Sequence, residues 1–156
     1  MESKNKDLTD QLTGLIQLNQ ERRNGYEKAI MECKGNFPEL RMLFGEMSDQ
    51  SREFISELKM KLKHFEAEHI PGKNDGAVSR IWNNIKWAFT GIDKDGILDT
   101  CLQAEEAAIK GYQDALATEA EMSAETRQML IGQREVIEEA VERLKMVRHP
   151  EESVEH

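Results

Sequence analysis

The chain is poor in the residues that interrupt helices and cross-link small folds. Its 156 residues include three prolines, two cysteines and ten glycines, and aromatic residues make up 6%. Two cysteines without Cys-x-x-Cys spacing cannot form a disulfide framework, so we expect reduced thiols at Cys33 and Cys101. These low counts exclude a collagen-like chain and a disulfide-stapled one.

Long apolar runs and an excess of positive charge are also missing. No run approaches the roughly 18 residues that a membrane-spanning helix needs, and the first residues contain no apolar segment typical of a secretion signal. We therefore expect a cytoplasmic protein. Because 30 Asp and Glu outnumber 21 Lys and Arg, giving a net charge of −9, phosphate backbones and anionic membranes would repel the chain. We expect neither a nucleic-acid partner nor a membrane partner.

Apolar residues recur at spacings of three and four along four segments, which indicates amphipathic helices. The first segment ends near Lys34, before Gly35, and the second runs from about Pro38 to about Glu68. The third carries Ile97 to Leu116, and the fourth follows a plausible N-cap at Ser123. Four such helices of about 25 residues each predict an all-α, antiparallel four-helix bundle as one domain over residues 1–149. Residues 150–156 form an acidic tail.

The connections between the four segments differ in length. The first and last are short, which predicts antiparallel hairpins, whereas the middle one runs from about residue 69 to 95. Within it, one face collects apolar residues and predicts a short extra helix packed on the bundle. These residues are Val78, Ile81, Trp82, Ile85 and Phe89. We expect the middle connection to be a crossover that carries this helix.

An internal repeat relates the two hairpins. Gly25-Tyr26 recurs as Gly111-Tyr112, at an offset of 86 residues. Two leucine pairs keep that offset, namely Leu12 with Leu98 and Leu58 with Leu144. Two similar helical hairpins joined by a long crossover are typical of a ferritin-like bundle.

Polar residues interrupt the apolar stripe at equivalent positions of the repeat. Asn19 and Glu105 each lie seven residues before a tyrosine, so they share a helix face with Tyr26 and Tyr112. A buried carboxylate needs a partner, a proton or a metal. The candidate layer comprises Asn19, Tyr26, Glu105, Glu106 and Tyr112, and further candidate partners are Arg22, Arg23 and Gln133. It is either a ligand or metal site between the hairpins, or a structural layer that fixes the register of the helices.

Motifs for metal chemistry are incomplete. A di-iron bundle needs Glu-x-x-His on two helices, but Glu66 and His69 form the only such motif, at the end of the second segment. The sequence Asp93-Lys94-Asp95-Gly96 resembles part of a calcium loop, yet the later ligand positions lack acids, which favours a helix N-cap. We therefore predict no catalytic residue, no metal ligand and no cofactor.

Several short motifs resemble one family in their order along the chain. They are Leu18-Asn19, Gly25-Tyr26-x-x-Ala29, Gln50-Ser51-Arg52-x-Phe54, Glu57-Leu58, Trp82-x-x-Ile85-Lys86-x-Ala88-Phe89-Thr90-Gly91, Ile97-Leu98-x-x-Cys101 and Glu105-x-Ala107-Ala108-x-Lys110-x-Tyr112. The sequence resembles the uncharacterised ferritin-like four-helix-bundle family numbered twenty-three eighty-three among the domains of unknown function. That resemblance implies a ferritin-like fold and a bacterial source, and it implies no reaction. Glu106 stands where the family pattern has Asp.

These observations leave two hypotheses about function. The first is a non-enzymatic structural or interaction protein, acting as a homo-oligomer or with a protein partner, with a role in stress physiology as an expectation from the fold class. The second is a protein that binds a metal or a small ligand through the polar layer. A ferroxidase is disfavoured because the chain lacks mid-bundle histidines.

Overall fold

Four long helices make up nearly all of the described chain. The computed structural model describes residues 2–69, 87, 89, 93–118 and 122–149, without the side chains of residues 2–7 and 67–69. The helices are α1 (Glu2–Glu32), α2 (Pro38–His69), α3 (Lys94–Ala117) and α4 (Ala124–Arg148). Within these residues there is no strand, so the predicted all-α four-helix class is confirmed.

The helix ends follow the local sequence signals. After α1, Gly35 adopts a left-handed conformation with φ of 80°, which glycine accepts without strain and which reverses the chain towards α2. Asp93 caps α3 by accepting a hydrogen bond from the Gly96 amide at 3.1 Å, and Ser123 caps α4 by accepting from Thr126 at 3.0 Å. Both predicted caps are confirmed, because a side-chain oxygen at each position satisfies an amide that has no partner within the helix.

Helix α1 runs antiparallel to α3. Asn19 contacts Tyr112, and Tyr26 contacts Glu105. Residue numbers therefore increase by seven along α1 while those of the contacting residues decrease by seven along α3. Since α1 and α2 form a hairpin, α2 and α3 are parallel, and α2 ends at the opposite end of the bundle from the start of α3. That placement is what a crossover requires.

Parts of the sequence predictions fall outside the described residues. These are Trp82, most of the predicted short helix and the tail after His149. Of the predicted helical stretch, the structure describes Trp87 and Phe89, and both have irregular backbone.

Two apolar clusters fill the two halves of the bundle. The first includes Leu12, Leu58 and Leu130, and the second includes Phe44, Ile97 and Leu144. Trp87 and Phe89 pack against the second cluster. Polar side chains lie between the clusters on α1, α2 and α3, which places them near the middle of the bundle.

None of the described helices combines the length and the apolar character that a bilayer crossing requires. Cys33 and Cys101 are free and buried.

Candidate functional site

The polar layer consists of buried side chains on α1 and α3, which have hydrogen-bond partners on α2 and α4. Asn19 and Tyr26 on α1 and Glu105 and Tyr112 on α3 are each fully buried. Their burial follows from the seven-residue spacing, which returns each pair to the same side of its helix. Four of the five residues named from the sequence are therefore buried where α1 meets α3, in two contacts about two helical turns apart.

Glu106 does not join the layer, which corrects its inclusion among the candidates. Its side chain is exposed, whereas that of the preceding Glu105 is buried. Adjacent residues on a helix point about 100° apart, and on α3 this rotation turns Glu106 towards solvent while Glu105 faces the core.

Glu105 is held by an ion pair across the bundle. Arg22 on α1 donates from Nε to Oε1 at 2.7 Å and from Nη2 to Oε2 at 2.8 Å, which is the bidentate geometry that suits a carboxylate. Tyr26 donates its hydroxyl to Oε2 at 2.6 Å. Both carboxylate oxygens therefore have protein donors.

Every donor of the Arg22 guanidinium has a partner. Beyond its two bonds to Glu105, Nη2 donates to Gln50 at 3.1 Å, and Nη1 donates to Ser51 at 2.9 Å and to the Met47 carbonyl at 3.3 Å. A guanidinium carries five N–H donors, and these five bonds use all of them. The buried cation is thus fully satisfied within the protein.

A chain of hydrogen bonds extends from the ion pair towards the surface. Ser51 donates to Asn19 at 2.9 Å, and Asn19 donates to Tyr112 at 2.8 Å. Tyr112 in turn donates to Gln133 on α4 at 2.6 Å, and Gln133 donates to the carboxylate of Glu57 at 2.8 Å. Because the Glu57 side chain is exposed, the chain of bonds links the core to the α2 surface.

The contacts between α1 and α3 are reciprocal. Tyr26 of the first hairpin bonds to Glu105 of the second, and Tyr112 of the second bonds to Asn19 of the first. At the offset of 86 residues in the predicted repeat, Tyr26 corresponds to Tyr112 and Asn19 corresponds to Glu105. Exchange of the two hairpins therefore maps one contact onto the other, as a two-fold relation between similar units would.

Burial shifts the ionisation of the layer. The pKa of Tyr26 is raised well above its ordinary value, first by burial and then by the negative charge of Glu105. Burial also raises the pKa of Tyr112, although the hydrogen bond from Asn19 opposes that effect. Burial alone would lower the pKa of Arg22, but the charge and hydrogen bonds of Glu105 outweigh it and raise this pKa. Arg22 therefore stays charged and both tyrosines stay protonated at neutral pH.

An aromatic cluster covers the layer on the α1 side. The Trp87 ring lies 4.9 Å from the Tyr26 ring in an edge-on arrangement, and Phe44 lies 5.6 Å from Tyr26 on another side. Gly25 permits this approach, because a Cβ at that position would collide with the indole of Trp87.

Sequence reasoning named some members of the network as alternatives and missed others. Arg22 and Gln133 were among several candidate partners, whereas Arg23 is partly exposed and pairs with Glu27 on the surface. Gln50, Ser51 and Glu57 were not predicted as members. The signal for Ser51 is a small polar residue on the mostly apolar inner stripe of α2, where Ser48 is also buried.

The described side chains of the layer do not form a metal centre. Among residues 2–69, 93–118 and 122–149, no group of three or more His, Cys, Asp or Glu side chains is placed to hold a metal ion. At Glu105 the guanidinium of Arg22 already supplies the positive charge and occupies both oxygens. The hydrogen bonds of Arg22 to Glu105 and Ser51 thus connect helices α1, α2 and α3.

A family model matches residues 7–118 of the chain, and its description is "Domain of unknown function (DUF2383)". The chain belongs to the DUF2383 family. The match covers nearly all of α1 and the whole of α2 and α3, and so includes every layer residue described above except Gln133 on α4. No curated protein matches the chain.

Proposed function

We propose that this DUF2383 protein is a non-enzymatic helical bundle that acts by association with other proteins. In this proposal the polar layer is structural: it fixes which helix faces meet and at what register, and the surface performs the function. The observation that carries the proposal is the complete internal pairing of Arg22 and Glu105. A layer whose donors and acceptors bind one another has no group left to hold a substrate.

A buried ion pair of this kind contributes more to selecting one register between the helices than to the free energy of unfolding. Taking two charges out of water costs several kcal/mol per ion, and the attraction between them roughly offsets that cost. A shifted register, however, would separate Arg22 from Glu105 and leave two unpaired charges inside the bundle. That penalty disfavours alternative packings of four similar amphipathic helices.

The reciprocal contacts support two further parts of the proposal. They are what a duplicated helical hairpin would produce, and the parallel α2 and α3 match the crossover of a ferritin-like bundle. We propose a ferritin-like architecture on these grounds and on the family resemblance. The resemblance alone supports a bacterial source, and a cytoplasmic location stays a prediction from the sequence. A role in stress physiology rests on the fold class alone.

The alternative function is the binding of a metal or small ligand in the layer. It would require Arg22 to leave Glu105, which exposes the carboxylate oxygens but strands a guanidinium inside the core. One observation favours ligand binding: the hydrogen-bond chain from Ser51 to Glu57 connects the layer to the surface through polar groups.

Metal titration separates the two functions. We would purify the full chain without chelator, measure bound iron and manganese, and titrate Fe(II) and Mn(II) into the protein by calorimetry. We expect less than 0.1 equivalent, about the level of adventitious metal, in both wild type and Glu105→Gln. Stoichiometric binding that Glu105→Gln abolishes would establish the alternative.

Association is tested separately in native cells. Chemical cross-linking with mass spectrometry is expected to give reproducible intermolecular links from the surface lysines. If all links are intramolecular, the proposal of association is wrong.

A further inference from the structure

An open groove between α2 and α4 carries exposed apolar surface. We call it the methionine groove; it has a volume of about 400 Å³ and is lined by Glu39, Met42, Leu43, Glu46, Arg143, Met146 and Val147. Met42 is 72% exposed and Met146 is 54% exposed. Methionine is flexible and polarisable, so it adapts to varied apolar surfaces and is common at sites that bind helices.

The rim of the groove is acidic along α2. Glu39, Glu46, Asp49 and Glu53 follow one another at spacings of seven, three and four, so they share a face with Met42. All four are exposed. A second shallow depression of about 560 Å³ continues from Glu46 along the same face.

Two arginines on this surface are already paired. Arg143 donates to Glu46 at 2.7 Å, and Arg52 lies 3.6 Å from Asp49. Glu39 and Glu53 form no ion pair with another described residue, so their charges are available to an outside cation. The surface therefore combines an apolar floor with carboxylates along one edge.

We propose that the methionine groove binds a cationic amphipathic helix of a partner protein. The inference rests on the proposed function and names the partner chemistry. The acidic face from residue 39 to 53 rises about 21 Å along α2, which matches a partner helix of about 14 residues. The apolar face of that helix contacts Met42 and Met146, while its lysines or arginines reach Glu39 and Glu53.

A second copy of the chain fits the groove less well. A two-fold interface brings the same patch of both copies together. Here that would place the acidic face of α2 against itself, in a protein of net charge −9. Charge complementarity therefore favours a cationic partner over self-association.

A defined peptide tests the proposal on the full-length chain. The probe is a fluorescently labelled 14-residue helical peptide of leucine and lysine with one apolar and one cationic face, and its binding is followed by anisotropy. The Met42→Glu/Met146→Glu double variant is expected to weaken binding at least tenfold. The matched control is Met31→Glu/Met60→Glu, which adds equal charge at two exposed methionines that do not line the groove and is expected to stay within twofold of wild type.

A scrambled peptide of the same composition separates specific docking from attraction to an acidic protein. It should bind at least tenfold more weakly than the amphipathic peptide. Equal binding of the two peptides, equal losses in both double variants, or no binding at all would overturn the proposal. A concentration-dependent dimer that Met42→Glu/Met146→Glu abolishes would assign the groove to a second copy instead. None of these outcomes depends on the metal titration. The peptide experiment can therefore overturn the groove proposal while the structural role of the polar layer stands, and the reverse is also possible.

Discussion

The Arg22–Glu105 pair gives the sharpest test of a structural polar layer. Glu105→Gln preserves the size of the side chain and one carbonyl oxygen, but removes the charge that balances a fully buried guanidinium. Arg22 cannot shed its proton to escape this at neutral pH, because a guanidinium stays protonated in proteins even when it is buried. Breaking one side of a buried ion pair costs about 3–5 kcal/mol. We expect about 3 kcal/mol, since the Gln carbonyl can still accept a hydrogen bond.

Removing both charges should restore much of that loss. In Arg22→Met/Glu105→Gln no charge is left unpaired, and the Gln carbonyl can accept the Tyr26 hydroxyl. Ser51 and Gln50 lose their partner in this variant, which costs about 1–3 kcal/mol for each group left buried and unsatisfied. We expect the double variant to lose at least about 2 kcal/mol less than the sum of the two single variants.

Urea denaturation followed by circular dichroism measures these differences. With an m value of about 2 kcal/mol/M, Glu105→Gln should lower the midpoint by about 1.5 M. The control is Glu106→Gln, which makes the same substitution one residue later on the exposed face and should change stability by less than about 0.5 kcal/mol. Equal midpoints for the two variants, or strict additivity in the double variant, would refute the reasoning.

Three further predictions concern the glycines, the tyrosines and the cysteines. Gly25→Ala should destabilise the protein by about 1–3 kcal/mol, because the added methyl collides with the indole of Trp87. Gly132→Ala meets open space within a helix and should stabilise the protein by about 0.5–1 kcal/mol, so urea midpoints that shift in the same direction for both variants would contradict this prediction. Both tyrosines of the chain are buried and have raised pKa values. As the pH rises, the unfolded chain therefore loses the tyrosine protons before the folded protein does. The free energy of unfolding should fall above about pH 10, by about 1.4 kcal/mol per pH unit for each tyrosine. Tyrosinate absorbance should therefore appear only with unfolding, and its appearance near pH 10 in protein with native circular dichroism would refute the point. Burial raises the pKa of both Cys33 and Cys101, so a thiol reagent should modify them only in denaturant, and rapid labelling of the native protein would contradict that result.

The sequence was informative wherever a signal is local. The spacing of apolar residues predicted four helices, and the ends of α2 and the caps at Asp93 and Ser123 agree with the structure. The same spacing placed Asn19 and Glu105 on inner faces. These features depend on neighbouring residues along one helix, where a period of 3.6 residues relates sequence to direction.

Single-sequence reasoning could not choose the partner of Glu105. Arg22 and Arg23 are adjacent, and both were candidates until the rotation of α1 turned one into the core and left the other to pair with Glu27 outside. The prediction that Glu106 joins the layer is wrong for the same reason, because the rotation of α3 points its side chain to solvent. Likewise, the role of Gly25 depends on Trp87, which lies 62 residues away along the chain.

The amino-acid sequence by itself therefore determined the helices and which of their faces are apolar. Only the tertiary structure decided that Arg22 neutralises Glu105, that Ser51 and Gln133 extend the bonding, and that Met42 and Met146 share a groove. Those outcomes depend on how far one helix slides and turns against another, and that choice is made by contacts between residues far apart in the chain.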